Sequence, residues 1–475
     1  MLLMSLILLP VLGALMVAWL HGRAADWVAS LTVAGALGLA VAAVVTGPAP
    51  VVLPVQWLGA APGLRLDGLG GLLALVVTSV GLGIAVYSAG YFSDRNRDHP
   101  GEAGKGRYYF FLLLFVAAML GLALAPDFGA LFVFWELTTI CSWALISHYG
   151  SREAVGAGLK ALAVTQFASL FFVGGLLALL TLSGSVGFGA VRQLPGGWQA
   201  AFVVMMLIAA WGKAAQAPFY TWLPSAMAAP TPASAFLHAA AMVKAGIFLT
   251  ARVLVSAGVL SGGPALLAGG AALVTLYVGV LGYFYQDDLK RLLAFSTICN
   301  LALMLLGLAL AGLGSQAGLE GALLHLWSHA FTKSLLFLAV GAMAYATGVR
   351  TIGALQGVMR SMPLTAAAFL MGALAISGLP PFGVFWSKLL LLRAAVAVGG
   401  VWGWSGALLV LVESGLSLAW FLWVAHRVIF GPPSSAVAEG HDPPRTMGGV
   451  LVGLMAMTLA APYVGIPLVR WVTGG

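Results

Sequence analysis

Lys213, His238, Lys244, His325, His329, Lys333, Lys388, Glu136 and Glu413 all stand within stretches of sequence that are otherwise apolar. Each can take up or release a proton, and each is costly to place in lipid, where ionisable groups usually face a bundle interior or a hydrated path. Their types and spacing therefore point to movement of charge across a membrane. Between Trp211 and Lys244 the chain reads WGKAAQAPFYTWLPSAMAAPTPASAFLHAAAMVK, so two lysines and a histidine surround a proline-rich interruption. Proline at membrane depth is tolerated only where the freed backbone groups find partners in protein or in a water-lined cavity.

His325, His329 and Lys333 are spaced four apart in LLHLWSHAFTKSLLFLAVGA and form one helical stripe. Successive members are about 6 Å apart along the axis, a workable proton hop through one water. A metal site at the two histidines is disfavoured because no carboxylate lies close in sequence. Glu136, in FVFWELTTICSW, has no basic residue within a helical turn. It must protonate or find a cation on another helix. Lys213 is the expected partner, the pair acting as an electrostatic gate or as a static register lock. His238 is expected as a link and Lys244 as the central carrier, with Ser234 capping the helix after Pro232. The uncharged loop TWLPSAMAAPTPAS is expected to fold back into the bundle. Glu413 and Lys160 are further candidates, Glu413 at the outward end of a path and Lys160 snorkelling near the start of its span. Asp287, Asp288, Lys290 and Arg291 read as a solvated turn and helix cap. Cys141 and Cys299 are lone thiols with no metal-binding spacing, and read as packing residues.

Long apolar helices must position these groups. The 475 residues are 61% hydrophobic and 8% charged, against the roughly 25% charged content of soluble domains. The chain reads as an all-α integral membrane protein. Stretches long enough to span fall near 1–20, 27–46, 69–92, 108–125, 128–147, 158–182, 199–218, 234–258, 264–284, 291–313, 319–346, 364–392, 402–426 and 447–470, fourteen in all. The first lacks a basic n-region and reads as a span, not a signal peptide. The loops between spans are short, with no phosphate loop and no room for a dinucleotide domain. With both termini outside, inner loops hold twelve basic residues and outer loops five, which satisfies the positive-inside rule of a cytoplasmic membrane. The net charge of +8 thus reflects membrane anchoring and buried lysines and gives no reason to invoke nucleic acid.

Two spans are interrupted alike, one from Gly212 through Lys213 to Pro218, the other from Ser377 through Pro380 and Pro381 to Lys388. Paired breaks point to internal repeats with sites at the broken helices. The organisation expected is residues 1–107 (three helices), a five-helix repeat at 108–258, an inverted five-helix repeat at 264–426, and 427–475 with the last span.

The segments FWELTTICSWALI, KAAQAPFYTWLPSAMAAPTPASAFLHAAAMVKAGIF, DDLKRLLAFSTICNLALM, HLWSHAFTKSLLFLAVG and SGLPPFGVFWSK occur in the order of a known family. Over about 65–430 the chain resembles the antiporter-like membrane subunits shared by respiratory complex I, Mrp-type Na+/H+ antiporters and energy-converting membrane-bound hydrogenases. The resemblance implies fourteen helices with two inverted five-helix repeats and two discontinuous helices. It also implies a proton relay of Glu136, Lys213, His238, Lys244, His325, His329, Lys333 and Lys388. Protons would load Lys244 from Lys213 and Glu136, then pass along His325, His329 and Lys333 to Lys388. The expected partners are other membrane subunits, the lipid bilayer, H+ and in some members Na+, with peripheral redox subunits in the complex I and hydrogenase types. Iron–sulfur clusters, flavin, nickel–iron or quinone would sit only on partner chains, because no redox centre is visible in this one. STICNLALM departs from the family's STxSQIG-like pattern, and no family role attaches to Glu413. The chain stops about five residues after its last span, so neither a lateral helix nor a long C-terminal extension is expected. The rival readings are an autonomous cation/proton transporter and a structural subunit with a vestigial channel.

Overall fold

A computed structural model describes residues 1–53 and 57–474. The helices in chain order are α1 (Leu2–Val17), α2 (Gly22–Thr46), α3 (Gly68–Tyr91), α4 (Lys105–Ala123), α5 (Phe128–Ile146), α6 (Arg152–Ser183), α7 (Gly196–Lys213), α8 (Trp222–Ser225), α9 (Thr231–Ala239) and α10 (Met242–Val255). They continue as α11 (Gly262–Phe284), α12 (Leu289–Gly312), α13 (Gln316–Thr347), α14 (Val358–Ser361), α15 (Pro363–Ser377), α16 (Gly383–Val398), α17 (Gly400–Ile429), α18 (Ser435–Ala438) and α19 (Arg445–Thr473). A short antiparallel ribbon pairs Val51–Val52 with Gly63–Leu64 between α2 and α3.

Among the described residues, eleven segments are long and apolar enough to cross a membrane, counting Thr231–Val255 as one. Leu2–Val17 and Pro363–Ser377 are shorter apolar helices. α12 and α13 are buried on nearly every face and lie in the middle, α13 packing against α9, α12, α15, α16 and α19. α2, α6, α17 and α19 turn apolar side chains such as Leu31, Leu170, Leu408 and Tyr463 outward, as lipid-facing helices do.

Helix starts are set by side chains that accept otherwise unused backbone N–H groups. Asp127 caps α5 by accepting from the Ala130 N–H at 2.8 Å, Ser151 caps α6 from Ala154 at 3.1 Å, and Asp288 caps α12 from Arg291 at 2.9 Å. The anticipated Ser234 cap does not form: the helix begins earlier, after Pro230, and the Ser234 hydroxyl turns back to the Ala229 carbonyl at 3.5 Å. Proline at the second helical position, Pro232, lets the chain enter the helix without wasting a donor, so the start moves upstream.

Both anticipated interruptions are present. α7 stops at Lys213 and irregular chain follows to Pro218; α15 stops at Ser377, and Gly378 to Phe382 separate it from α16. Gly378 takes φ +87°, a left-handed geometry that side-chain-bearing residues rarely adopt. The sequence reading missed a third break. Residues 234–258 were expected as one span, but Ala240 and Ala241 leave helical geometry between α9 and α10. No glycine or proline marks this break, so it has no local signal. The loop at 226–229 packs inward as anticipated, with Ala226, Met227 and Ala229 buried.

Candidate functional site

The last residue of α7 begins the site. Lys213 is fully buried, and its Nζ donates to the Trp135 carbonyl and, at 2.6 Å, to Thr138 Oγ1, both on α5. It also lies 4.1 Å from the centroid of the Trp135 ring, whose negative face attracts a cation by roughly 0.5–2 kcal/mol. The indole is held in turn by its N–H bond to Ser169 at 2.9 Å. Dipoles and a π face therefore surround this ammonium.

The anticipated Glu136–Lys213 ion pair is not made, since no Lys213 oxygen partner within 4 Å is a carboxylate among the described residues. Glu136 follows Trp135, but successive helix positions are turned by about 100°. It therefore shares the stripe of Val133 and Ile140, which are about half exposed on the outside of α5. Its Oε1 is buried without a partner.

α10 begins just after the third break and presents Lys244 in its first turn. Lys244 Nζ lies 3.1 Å from His329 Nδ1 and 3.6 Å from Met304 Sδ, with no carboxylate in its hydrogen-bond set. The ammonium and imidazole can share one proton: when lysine holds it the ring nitrogen accepts, and when imidazole holds it the amine accepts. Close approach of α10 to the end of α7 needs Gly246, because a Cβ there would lie 2.3 Å from the Ala210 carbonyl oxygen.

One turn away on α13, the His325 ring lies 6.2 Å from the His329 ring. His325 Nε2 is 2.9 Å from Asn300 Oδ1 and Nδ1 is 2.8 Å from Ser387 Oγ. The Ser387 hydroxyl has a second acceptor, the Val384 carbonyl at 2.9 Å. Asn300 orients its oxygen at His325 by donating its amide to the Ser296 carbonyl at 2.7 Å, and this assignment follows from the network. With neutral His325, Ser387 donates to Nδ1; with protonated His325, Nδ1 donates to Ser387, which turns its own proton to Val384. The ring is thus satisfied in both protonation states.

Lys388, next to Ser387 on α16, makes a 2.7 Å ion pair with Glu413 Oε2 on α17, and both side chains are buried. The Tyr283 hydroxyl donates to the other carboxylate oxygen at 3.4 Å. Glu413, for which the sequence analysis had no family role, is the counter-ion of Lys388. Ser387 places Lys388 beside His325, at the opposite end of the α13 stripe from Lys333. The anticipated order His325, His329, Lys333, Lys388 therefore does not match the geometry. The spatial order is Lys244, His329, His325, Ser387, Lys388, Glu413, while Lys333 extends the other way and donates to the Leu293 carbonyl at 3.0 Å.

His238 is fully buried beside the Phe337 ring at 4.8 Å, and neither ring nitrogen has a protein partner among the described residues. Lys160 stays apart, exposed on α6 with its Nζ 3.0 Å from Ser225 Oγ, a snorkelling arrangement. Lys290 corrects the reading of a solvated turn: it is buried and donates to the Met227 and Ala229 carbonyls, both at 2.8 Å, because the inward-folded loop offers carbonyls no sequence pattern announces. Sequence reasoning missed Thr138, Asn300, Ser387 and Met304. The first three are polar residues inside apolar spans, and that was their available signal; Met304 carried none.

Fold and site together define a class: a polytopic helical membrane protein with broken helices and a row of buried titratable side chains. Residues 125–417 match the family described as NADH:quinone oxidoreductase/Mrp antiporter, TM, and the chain belongs to that family. It is 36% identical over 348 residues to Na(+)/H(+) antiporter subunit A1 of Staphylococcus aureus (strain JH9), a match covering 68% of this chain and 42% of that protein. The chain thus matches less than half the length of these relatives. Among solved structures, a chain of the Mrp complex from Dietzia sp. DQ12-45-1b superposes with a TM-score of 0.86 at 30% identity, over 99% of this chain and 51% of that one. A chain of the membrane-bound sulfane sulfur reductase, an archaeal respiratory membrane complex, shares the fold with a TM-score of 0.84 at 24% identity, over 99% of this chain and 96% of that one.

Proposed function

We propose that this chain is the proton-translocating, antiporter-like subunit of a multisubunit membrane complex. The observation that carries the reading is the buried row Lys244, His329, His325, Ser387, Lys388 and Glu413. In it Lys244–His329, His325–Ser387 and Lys388–Glu413 are direct polar contacts, the two histidine rings stand 6.2 Å apart with room for a water-carried step, and His325 is satisfied in either state. Burying such groups without use is costly, which argues against a vestigial channel. Glu413 is the one carboxylate in this row, so the row offers few hard oxygen ligands for Na+ and favours H+.

Other membrane subunits are the natural partners. An ionisable Glu136 on the outward stripe of α5 needs protein cover, since lipid offers it no counter-charge. Any flavin, iron–sulfur, nickel–iron or quinone chemistry belongs to such partners, and the host is a complex I-like, hydrogenase-type or Mrp-type assembly. The orientation follows the basic-residue bias of the cytoplasmic membrane, both termini lying outside. The breaks at 214–218 and 378–382, each flanked by a lysine, support inverted repeats at 108–258 and 264–426.

The test is proton flux by the assembled complex in liposomes with Lys244→Ala in this chain. Loss of flux at equal assembly is expected; undiminished flux sinks the reading. Mass spectrometry of the complex with an iron assay then separates a redox-driven host from an iron-free antiporter.

A further inference from the structure

The row leaves a set of buried hydroxyls unused. On the face rich in lysine and arginine, a cavity of about 430 Å³ is lined by His99, Tyr149, Glu153, Ser225, Asp288 and Arg350, among others. The His99 ring lies on the Tyr149 ring, centroids 3.9 Å apart. From the half-buried Tyr149, hydroxyls lead inward: Tyr149 to Tyr91 at 3.4 Å, and Tyr91 to Thr231 Oγ1 at 3.5 Å. Thr231 opens α9, and His238 lies seven residues on, the same face two turns later and about 10 Å along the axis.

Two observations mark a direction beyond Thr231. His238 has both ring nitrogens buried without a partner among the described residues, a condition that ordered water normally relieves. Along α13, Gly341 faces Thr231 and Phe337 faces His238, and Lys333 is the next residue of that stripe. A Cβ at Gly341 would come within 2.6 Å of Thr231 Cγ2 and 3.1 Å of the Tyr87 hydroxyl, so glycine keeps the meeting of α3, α9 and α13 open.

We propose that this hydroxyl line is the proton inlet: protons enter at the His99–Tyr149 cavity, pass Tyr149, Tyr91 and Thr231, and reach His238 and then Lys333. The proposal rests on the proton-translocating reading above. In each step one O–H bond breaks as the next forms: a proton arriving on the Tyr149 oxygen releases that residue's own proton to Tyr91, and Tyr91 releases its own to Thr231. Water carries the proton on to His238, and rotation of the three hydroxyls resets the line. No electron moves and no group leaves. Lys290, the other buried cation near this cavity, directs its Nζ to two backbone carbonyls and ties down the 226–229 loop instead.

The experiment is proton flux by the assembled complex in liposomes carrying Tyr91→Phe, Tyr149→Phe or Thr231→Val, which keep shape and remove one hydroxyl. Flux should fall about tenfold at equal assembly. The ratio of rates in light and heavy water should rise, and the rate should become more sensitive to pH on the inlet side alone, changes that a merely structural defect would not produce. Tyr108→Phe, whose hydroxyl bonds Ser88 at 2.9 Å beside this line, should leave flux and isotope ratio as in wild type. If Tyr91→Phe fails to assemble, the rim residue Tyr149 carries the test. Wild-type flux in all three variants while Lys244→Ala is dead overturns the inlet alone. Flux surviving Lys244→Ala overturns the underlying function. Loss of flux in Lys290→Met with the hydroxyl variants intact overturns the inlet by moving entry to Lys290.

Discussion

The break after α7 and the break before α16 each put a lysine near a gap in a helix, yet surround it with different chemistry. Lys213 is held by a carbonyl, a hydroxyl and an indole face, whereas Lys388 is held by the Glu413 carboxylate at 2.7 Å. The first lysine has no counter-ion in its contact shell, so its charge state is open to a charge that approaches from elsewhere. The second has its charge compensated inside the chain. A buried ion pair is tightly self-contained, since removing one member leaves the other stranded at large cost. In the proposed relay, one break would respond to an approaching charge and the other would hold a charge until its partner changes state.

The largest expected effect comes from the responsive break. Lys213→Ala should leave assembly intact and reduce proton flux at least ~100-fold, measured on the reconstituted complex. Full flux would make the two breaks functionally unequal in the opposite sense. Next comes the self-contained pair: Glu413→Gln strands buried Lys388 and should cost about 3–5 kcal/mol of stability, read as a large drop in the denaturation midpoint in detergent. Glu413→Gln together with Lys388→Met should recover most of that loss.

Glu136→Gln sharpens the contrast, because Glu136 has no pairing to lose within this chain. Stability of the isolated chain should change by less than about 1 kcal/mol, while flux in the complex falls. A destabilisation as large as that of Glu413→Gln would mean that Glu136 does pair with Lys213. The smallest effect concerns the spacing between the first break and the row. Gly246→Ala should lose about 1–3 kcal/mol by overpacking against Ala210 and slow transport severalfold, and unchanged melting would show that α10 can shift aside.

Much of the site was legible because helical geometry is local. The four-residue spacing of His325, His329 and Lys333 does put them on one stripe of α13, and the proline and glycine signals at 214–218 and 378–382 do end helices there. The break at Ala240 and Ala241 was not legible, since alanine favours helix and the departure is imposed by packing around α9 and α10. Lys290 looked solvated because its neighbours are charged, and only the inward fold of residues 226–229 buries it.

What the sequence by itself determined is the medium, the helices and the inventory: apolar length selects lipid, spacing selects faces, and the apolar spans carry the lysines, histidines and glutamates. The tertiary structure decided the pairings. Glu413 was near no lysine in sequence, yet it meets Lys388, while Glu136 makes no ion pair with Lys213 among the described residues. Contacts between distant helices depend on how each is rotated about its own axis. That rotation is set jointly by all the surfaces packed against it, and no single stretch of sequence carries it.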